Sequence, residues 1–470
     1  MPGEPETGAF SPTMYKKIFF TLTLSLFVCL AALLVFNCGR TSETSAGSTA
    51  SIFAISGVNL WDGEGNAPIR DSVIVVSDGR IQVVGPRAST PIPKGATVIS
   101  GEGKTLIPGL INAHGHVGMT KGLKAGPENY SEESVLAQLR QYARYGVTTV
   151  QSLGTDFEPM FKLRGPAKAD EAPRATVFTA GRGFTGIQGY PAVLPGNAGV
   201  PREVDSVEEV RKNVEELARQ KVDIVKIWVD DHWGHYKKIR PELYRAIIDE
   251  AHKHGLRVMA HIFYLEDAKR LVAAGLDGLA HSVRDKEIDD ELIRMIKEKK
   301  TFAVATLVRE ESTFIYATPP AFLDDPFFNR WIDPEIIKQL KDPAYGARIK
   351  ADPDFSKFPG QLAMAKKNLK KLWDAGVHIA FGSDTGPPAR FQGFFEHREL
   401  ELMVEAGLTP AQALQTATSN TATALRISGD FGALAKGKRA DMILLDADPL
   451  ADIRNTRKIN KVWIGGREVN

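Results

Sequence analysis

Short apolar runs of strand length alternate with helix-period segments through the middle of this sequence. Helices are predicted between the runs, for example at 207–220, 241–254 and 362–375. Eight strands with helices between them fit a (β/α)8 barrel, the TIM-barrel form of the α/β class. A doubly wound open sheet is the alternative, but no Gly-x-Gly-x-x-Gly turn follows the first strand. The eight candidate strands are 110–113, 148–153, 176–180, 224–229, 257–261, 278–281, 301–306 and 378–382.

After residue 51, the first and the last part of the chain both contain short strand-like runs separated by turn residues. Apolar residues alternate around Asp78-Gly79, a hairpin turn signal, and similar runs return near the C-terminus. We therefore expect residues 52–106 and 428–470 to form one composite β-sandwich domain, with the barrel at 107–427. A Pro/Asp/Phe-rich stretch near 308–360 is predicted to be an insertion that acts as a lid over the active-site face.

The N-terminus is typical of an export signal. A basic pair precedes a long apolar stretch at 18–36, and a Ser/Thr/Gly-rich run follows. This order fits a secretory leader, although the stretch is long enough to be a membrane anchor. Residues 1–38 are therefore predicted to be a leader or anchor and 39–51 a flexible linker. Because Cys38 resembles the lipidated cysteine of bacterial lipoproteins, we expect an exported protein, periplasmic or on the outer surface, with a membrane tether at its N-terminus.

Cysteine and charge exclude several classes of function. Both cysteines, Cys29 and Cys38, lie in the predicted leader, so the rest of the chain has none. The body therefore has no disulfide framework, no thiolate zinc site and no cysteine nucleophile. Lys+Arg 59 minus Asp+Glu 57 gives a formal net charge of +2, which argues against a general polyanion binder. We expect no nucleic-acid partner, and any metal must be held by His, Asp, Glu or a modified Lys.

Metal-ligating residue types follow the ends of several predicted strands. His114 and His116 are two residues apart, so both project to one face of the first strand. Each residue alone has an ordinary explanation, such as a structural histidine or a turn aspartate at Asp384. The prediction of a metal site rests on the position that these residues share, because catalytic groups project from strand C-termini in a barrel. Imidazole with carboxylate suits zinc or a neighbouring divalent ion. The full set is His114, His116, Lys226, His261, His281 and Asp384.

Lys226 lies inside the apolar run at 224–229. It is either on an edge strand, with its ammonium reaching water, or buried with a lowered pKa. A buried neutral lysine can react with CO2 to form a carbamate, whose two oxygens suit the bridging of two cations. The residue by itself leaves both interpretations open.

Three motifs resemble those of the amidohydrolase superfamily. They are Leu-Ile-Pro-Gly-Leu-Ile-Asn-Ala-His-Gly-His at 106–116, Gly-Ser-Asp-Thr-Gly at 382–386, and the tail from Gly432. The chain is most similar to the imidazolonepropionase-related branch, which includes prolidase-like enzymes, and the resemblance covers essentially everything after residue 51. It implies a barrel with two divalent metal ions, expected to be zinc. In the family pattern, His261 and His281 hold one ion, and CO2 bound as a carbamate on Lys226 bridges it to the second. The second ion is held by His114, His116 and Asp384.

Such a centre is expected to hydrolyse an amide-type C–N bond in a dipeptide, an N-acyl amino acid or a cyclic amide. Asp384 would take a proton from the attacking water and return it to the leaving nitrogen. Tyr264, or with less support His235, would hydrogen-bond the developing oxyanion. The residues predicted to bind the small-molecule substrate are Arg182, Tyr190 and Arg309, the arginines through a carboxylate.

Two other functions are consistent with the same residues. A phosphotriester or lactone hydrolase would keep the metal centre and change the electrophile. A metal-free barrel that serves only as a binding module is disfavoured, because all six ligands are present. The sequence leaves open whether the chain forms a homo-oligomer.

Overall fold

The N-terminal part of the structure is a set of short strands. A computed structural model describes residues 52–470, so the predicted leader, linker and lipidated Cys38 lie outside the described residues. The strands are β1 (Phe53–Leu60), β2 (Ile69–Ser77), β3 (Arg80–Pro86), β4 (Thr97–Ser100) and β5 (Thr105–Pro108). A hairpin joins β2 to β3 through Asp78 and Gly79, whose φ angles of 53° and 72° are those that this turn requires.

Parallel strands make up the middle of the chain. They are β6 (Leu110–Gly115), the two-residue hairpin strands β7 (Thr120–Lys121) and β8 (Lys124–Ala125), then β9 (Val147–Ser152), β10 (Thr176–Thr179), β11 (Phe184–Gly186), β12 (Arg202–Val204), β13 (Ile224–Trp228), β14 (Arg257–His261), β15 (Gly278–Ala280), β16 (Phe302–Val304) and β17 (Ile379–Ala380). Apart from the β7–β8 hairpin, which is antiparallel, every pair among them is parallel. Each of the eight strands predicted for the barrel is present, with bounds within three residues of those expected.

The parallel strands form two sheets that meet at their edges. Their orders are β10-β9-β6 and β12-β11-β13-β14-β15-β16-β17. Asp223 N donates to Thr179 O at 2.8 Å beside β10, and Ala113 N donates to Phe381 O at 2.9 Å between β6 and the residues after β17. The arrangement is a barrel-type α/β fold, in which the carboxyl ends of the strands face the same side.

Helices follow the strands and bury one apolar face each. They include α1 (Glu132–Arg144), α2 (Glu158–Leu163), α3 (Val207–Arg219), α4 (Pro241–Lys253), α5 (Leu265–Ala273) and α6 (Asp290–Lys299). Ser206 caps α3 by accepting a hydrogen bond from Glu209 N at 3.1 Å. The buried face of α3 consists of Val210, Val214 and Leu217. Burial stabilises the fold by roughly 1.5–3 kcal/mol for each such side chain.

The predicted insertion is a group of mostly short helices between β16 and β17. They are α7 (Leu307–Glu311), α8 (Pro326–Asn329), α9 (Pro334–Lys341), α10 (Pro343–Lys350) and α11 (Phe358–Asp374). Proline begins three of them, each preceded by a capping aspartate, Asp325, Asp333 or Asp342. Phe328 of this group is fully buried and packs its ring 4.8 Å from that of Phe394.

The C-terminal segment returns to the first sheet. It contains α12 (Phe394–Glu405), α13 (Pro410–Gln415), α14 (Thr421–Ala424), β18 (Met442–Leu445), β19 (Ile459–Ile464) and β20 (Arg467–Glu468). β18 pairs antiparallel with β5, and Ile443 faces Ile107. Strands from both ends therefore share one sheet, in the order β20-β19-β18-β5-β1-β2-β3, with β4 also paired to β1.

This terminal sheet contains strands from both ends of the described chain. Its eight strands are one continuous hydrogen-bonded sheet, because β1 pairs with β2 on one side and with both β4 and β5 on the other. Residues 52–470 form one compact unit. Within residues 52–470, no helix has both the length and the apolar character needed to cross a membrane.

Candidate metal centre

His114 and His116 project from the end of β6 toward Asp384. The Nε2 atoms of His114 and His116 lie 3.3 Å and 2.8 Å from Oδ1 of Asp384. Asp384 follows β17 and is held against β6, because its backbone N donates to His114 O at 2.7 Å. The loop after the last parallel strand and the end of the first one therefore present a carboxylate and two imidazoles to the same point.

His261 and His281 complete a cluster of four imidazoles. His261 ends β14 and His281 follows β15, and their ring centroids lie 4.5 Å apart. The ring of His281 also lies 4.7 Å from that of His114. Candidate ligand atoms of His114, His281 and Asp384 lie within 4.8 Å of one another. Asp384 and His281 both have positive φ, 56° and 79°, so two of these residues sit in strained backbone of the kind found at functional sites.

Lys226 is buried close to this cluster. Its side chain is fully inaccessible, and its Nζ has no hydrogen-bond partner within the described part of the chain. Burial lowers the pKa of Lys226 to about 7, against the opposing attraction of Asp384. Glycines make room for the lysine: a Cβ at Gly154 would lie 2.7 Å from Lys226 Cγ, and one at Gly183 would lie 3.0 Å from Lys226 Cβ. The edge-strand interpretation of Lys226 is therefore wrong, since β13 is an interior strand paired with both β11 and β14.

Hydrogen bonds orient three of the imidazoles. Nδ1 of His116 lies 3.0 Å from Thr155 Oγ1, and Nδ1 of His281 lies 2.6 Å from Thr306 Oγ1. Nε2 of His261 lies 2.8 Å from Oδ2 of Asp230. These partners leave Nε2 of His281 and Nδ1 of His261 free to bind a metal, while Nε2 of His116 faces Oδ1 of Asp384, another candidate ligand atom.

The electrostatics favour ligand forms of these groups. Burial lowers the pKa of His114, His116 and His281, and it lowers that of His261 to about 3, so the imidazoles stay neutral. Burial alone would raise the pKa of Asp384, but Arg390 and the neighbouring histidines hold it well below its ordinary value. Neutral imidazole, ionised carboxylate and an unpartnered buried amine are a donor set that fits zinc or a similar divalent ion.

The sequence-based prediction did not include Asp230. It lies two residues after β13, is buried, and contacts His261. Burial would raise its pKa, but the His261 contact lowers it below the ordinary range, so Asp230 is ionised. The only sequence signal is its position just after a strand end, where Asp230-Asp231 reads as an ordinary loop.

A buried carboxylate behind the centre was also missed. Glu396 of α12 accepts hydrogen bonds from Asn112 Nδ2 (2.8 Å), Ser383 Oγ (2.6 Å), Thr385 Oγ1 (2.5 Å) and Gly393 N (2.6 Å). Asn112 Oδ1 in turn accepts from the backbone N of His114 at 2.9 Å. This group, Glu396 with Asn112, Ser383 and Thr385, ties the strand that carries His114 to the loop that carries Asp384. Asn112 is its one visible sequence signal, a polar residue within an apolar strand.

A cavity of about 580 Å³ opens above the centre. Five of the six predicted ligands line it, and Lys226 lies behind its wall. Much of the remaining wall is apolar, formed by Met119, Leu123, Pro191, Leu194, Pro195 and Trp228. No residue of 308–360 contributes to the lining. Trp331, Ile332, Asp333 and Ile336 of the insertion line a neighbouring cavity, which shares Gly386 and Arg390 with this one. The lid role of the insertion stays a prediction.

The three residues predicted to bind the substrate differ in whether they line the cavity. Tyr190 lines the cavity, with its ring 5.0 Å from that of His261. Arg309 Nη1 donates to both carboxylate oxygens of Glu310, at 3.0 and 2.9 Å, and lies outside the lining. Arg182 also lies outside it, because its guanidinium donates to the carbonyls of Gly199, Val200 and Pro201. The cationic side chains on the wall are instead Lys124 and Arg390.

Neither predicted oxyanion ligand reaches the cavity wall. The hydroxyl of Tyr264 donates to Asp231 Oδ1 at 2.8 Å and accepts from Trp233 N at 3.1 Å. His235 is 62% exposed, with Nε2 3.6 Å from Asp354 in the insertion. Neither Tyr264 nor His235 is among the residues that line the cavity.

Comparison with known proteins agrees with this geometry. The model of the amidohydrolase family matches residues 105–469. Ochratoxinase of Aspergillus niger is 27% identical over 445 residues, which cover 87% of this chain and 84% of that protein. Imidazolonepropionase of Brevibacillus brevis is 23% identical over 438 residues, with coverages of 84% and 88%. A solved structure from Bifidobacterium longum, assigned as a prolidase, superposes with a TM-score of 0.69 at 26% identity, over 89% of this chain and 94% of that one.

The family match covers most of the chain and includes all six residues of the centre. The similar proteins also share the barrel-type fold, over nearly the whole described length. The chain therefore belongs to the amidohydrolase family, in the branch of prolidase-like and imidazolonepropionase-related enzymes, and it is a hydrolase of carbon–nitrogen bonds.

Proposed function

We propose that this enzyme hydrolyses an amide-type C–N bond of a small molecule at a centre of two divalent metal ions, expected to be zinc. His261 and His281 would hold one ion. The other would be held by His114, His116 and Asp384. The closed (β/α)8 form of the barrel belongs to the same proposal.

The observation that carries this proposal is the amine of Lys226, which has no hydrogen-bond partner within residues 52–470. A buried polar group without a partner costs free energy, so its retention calls for a function. We infer that the neutral amine attacks CO2, forming an N–C bond and releasing one proton, to give a carbamate. The carbamate carries one negative charge and two oxygens, which would satisfy the buried site by bridging two cations.

Asp384 would act as the general base and then the general acid of the reaction. Bound divalent ions supply Lewis acidity, which makes water nucleophilic near neutral pH and polarises the scissile carbonyl. Asp384 is ionised and points Oδ1 into the imidazole cluster, so it can accept a proton from the attacking water. It then returns that proton to the leaving nitrogen as the C–N bond breaks. The products are a carboxylic acid and an amine.

The lining of the cavity favours a substrate amide that carries an apolar group. Met119, Leu123 and Trp228 offer apolar contact beside the histidines. The names of the similar proteins point the same way, since ochratoxinase acts on ochratoxin and the prolidase is named for proline-containing substrates. The dipeptide and N-acyl amino acid classes therefore have the most support.

Metal analysis with a substrate panel tests this function. Purified protein would be assayed on dipeptides, N-acyl amino acids, a cyclic amide, a lactone and a paraoxon-type phosphotriester. Lys226→Ala should lose bound metal and activity together, whereas Lys212→Ala, at an exposed position of α3, should keep both. Turnover of only the lactone or phosphotriester would replace the amide assignment by the ester one. Metal and activity retained in Lys226→Ala would exclude the carbamate bridge.

We further propose export and a lipid tether at Cys38. The support is the order of basic, apolar and polar segments in the first 51 residues. Expression of the wild type and of Cys38→Ser, followed by membrane fractionation, tests this. The tether predicts that the wild type stays with membranes and that the variant is released. Equal partitioning of both would exclude it.

A further inference from the structure

Glu399 of α12 is a buried carboxylate that has no part in the proposed reaction. Its Oε1 accepts a hydrogen bond from Leu307 N at 2.9 Å, and its Oε2 accepts one from Val308 N at 2.6 Å. These are the only hydrogen bonds of its side chain within residues 52–470. The carboxylate therefore holds the turn that begins α7.

That turn carries Thr306, whose hydroxyl faces the ring of His281. Thr306 has a φ of 51°, an unfavourable conformation for a β-branched residue, which persists only where the surroundings hold it. Its Oγ1 donates to Ala305 O at 2.8 Å and lies 2.6 Å from Nδ1 of His281. Because a hydroxyl has one hydrogen, Oγ1 accepts from Nδ1–H. The proton of His281 is therefore on Nδ1, and Nε2 is left as the metal-binding atom.

The same helix makes a matching contact one turn earlier. Glu396, three residues before Glu399, ties the strand that carries His114 to the loop that carries Asp384. Residues three apart lie on the same face of a helix. Two buried carboxylates of α12 therefore hold the backbone beside ligands of both predicted ions: Glu396 for the ion of His114 and Asp384, and Glu399 for the ion of His281.

We propose that Glu399 is a positioning residue for the ion held by His261 and His281, acting through Thr306 on the imidazole of His281. The inference rests on the metal centre of the proposed function and is independent of which bond that centre cleaves. An apolar side chain at position 399 would leave two buried N–H groups without an acceptor, so the strained turn would relax. The Nδ1–H of His281 would then lose its acceptor, and its Nε2 would bind the ion less tightly.

Metal titration of the purified protein, freed of metal with a chelator, tests this role. Co²⁺ is added in competition with a chromogenic chelator, which gives the affinity for each ion. Glu399→Met is expected to weaken the binding of one ion by about 10–100-fold and to leave the other nearly unchanged. His281→Ala identifies the affected ion. Adding Glu399→Met to His281→Ala should cause no further loss of affinity, whereas a general structural role would add its own loss.

Two milder variants keep the inference testable if Glu399→Met does not fold. Glu399→Gln keeps one acceptor oxygen and should lose part of the affinity for that ion. Thr306→Val removes only the hydroxyl between the turn and His281, and it should weaken the binding of the same ion. The losses from these two variants should not add in the double variant, because they break one chain of contacts.

Glu405→Met is the control, because Glu405 lies on the same helix and forms partly exposed ion pairs with Lys366 and Arg398. It should bind both ions as the wild type does. The inference is overturned if the variants at Glu399 bind both ions normally, if both ions are weakened equally, or if the losses add to that of His281→Ala. A wild type that binds no divalent ion would overturn the proposed function as well. If the wild type binds both ions with this dependence on Glu399 but hydrolyses no amide, the proposed function fails and the positioning role stands.

Discussion

Nε2 of His261 and Oδ2 of Asp230 lie 2.8 Å apart in the buried interior beside the cavity. The contact makes His261 a donor at Nε2 and leaves its Nδ1 free, because an ionised carboxylate only accepts. Asp230 therefore decides which nitrogen of His261 can bind a metal. The pair joins residues 31 positions apart, from the ends of two adjacent strands.

Replacing Asp230 by Asn should weaken metal binding. The amide can donate to His261 and so stabilise the wrong tautomer, and outer partners of this kind are worth about 10–100-fold in metal affinity or activity. Competition with a chromogenic chelator would measure the change. Asp231→Asn is the matched control, since Asp231 contacts Tyr264 and not a predicted metal ligand. Unchanged metal affinity in Asp230→Asn would contradict the orienting role.

Glu396→Ala should destabilise the fold. The substitution leaves the donors of Asn112, Ser383 and Thr385 without their shared acceptor, and a buried unsatisfied group costs about 1–3 kcal/mol. We expect the free energy of unfolding in urea to fall by at least about 2 kcal/mol. Glu405→Ala on the same helix removes partly exposed ion pairs with Lys366 and Arg398, and should cost under about 1 kcal/mol. Equal losses of unfolding free energy in both variants would show that the buried hydrogen bonds of Glu396 stabilise the fold no more than the exposed ion pairs of Glu405.

His397 should make stability fall in mild acid. It is buried, its Nε2 lies 2.8 Å from Tyr145 O, and its Nδ1 lies 2.9 Å from Thr456 Oγ1. Burial lowers the pKa of His397 to about 3, so the unfolded chain binds a proton below about pH 6.5 that the folded chain does not. Stability from this residue is complete above that pH and decreases by about 1.4 kcal/mol per unit below it.

Urea unfolding of wild type and His397→Gln at pH 7.5 and 5.5 measures this effect. The variant is expected to be less stable at pH 7.5 but to lose about 1 kcal/mol less on acidification. The other histidines are common to both proteins, so the difference isolates His397. The same pH dependence in both proteins would mean that His397 is not the titrating group.

Lys226→Met should raise the stability of the metal-free protein while it weakens metal binding. An apolar side chain of similar length removes the amine, which has no hydrogen-bond partner within residues 52–470, and such a buried unsatisfied group costs about 1–3 kcal/mol. The metal-free variant is therefore expected to unfold at a higher urea concentration than the metal-free wild type, while binding less metal. Lys212→Met at an exposed site should change neither. A lower unfolding midpoint in Lys226→Met would indicate that the amine has a stabilising partner.

Much of the fold could be predicted from local pattern. The strand at 257–261 was placed at its observed bounds, and the helix at 241–254 to within one residue, because apolar periodicity, Pro241 and Gly255 are local signals. The predicted ligands could be found for a related reason. Strand alternation fixes that His114 and His116 share a face, and parallel strands bring their carboxyl ends to one side of the sheet.

The sequence by itself determined the order of strands and helices and the residue types at the strand ends, since both depend on spacing along the chain. Only the tertiary structure decided which side chains beyond the strand ends reach the site. Tyr264 turns to Asp231 and Arg309 to Glu310, while Asp230 and Arg390 enter it. The physical reason is that a polar side chain takes the direction of its best hydrogen-bond partner. For Glu396 that includes Asn112, 284 positions away in the sequence, which no local pattern can specify.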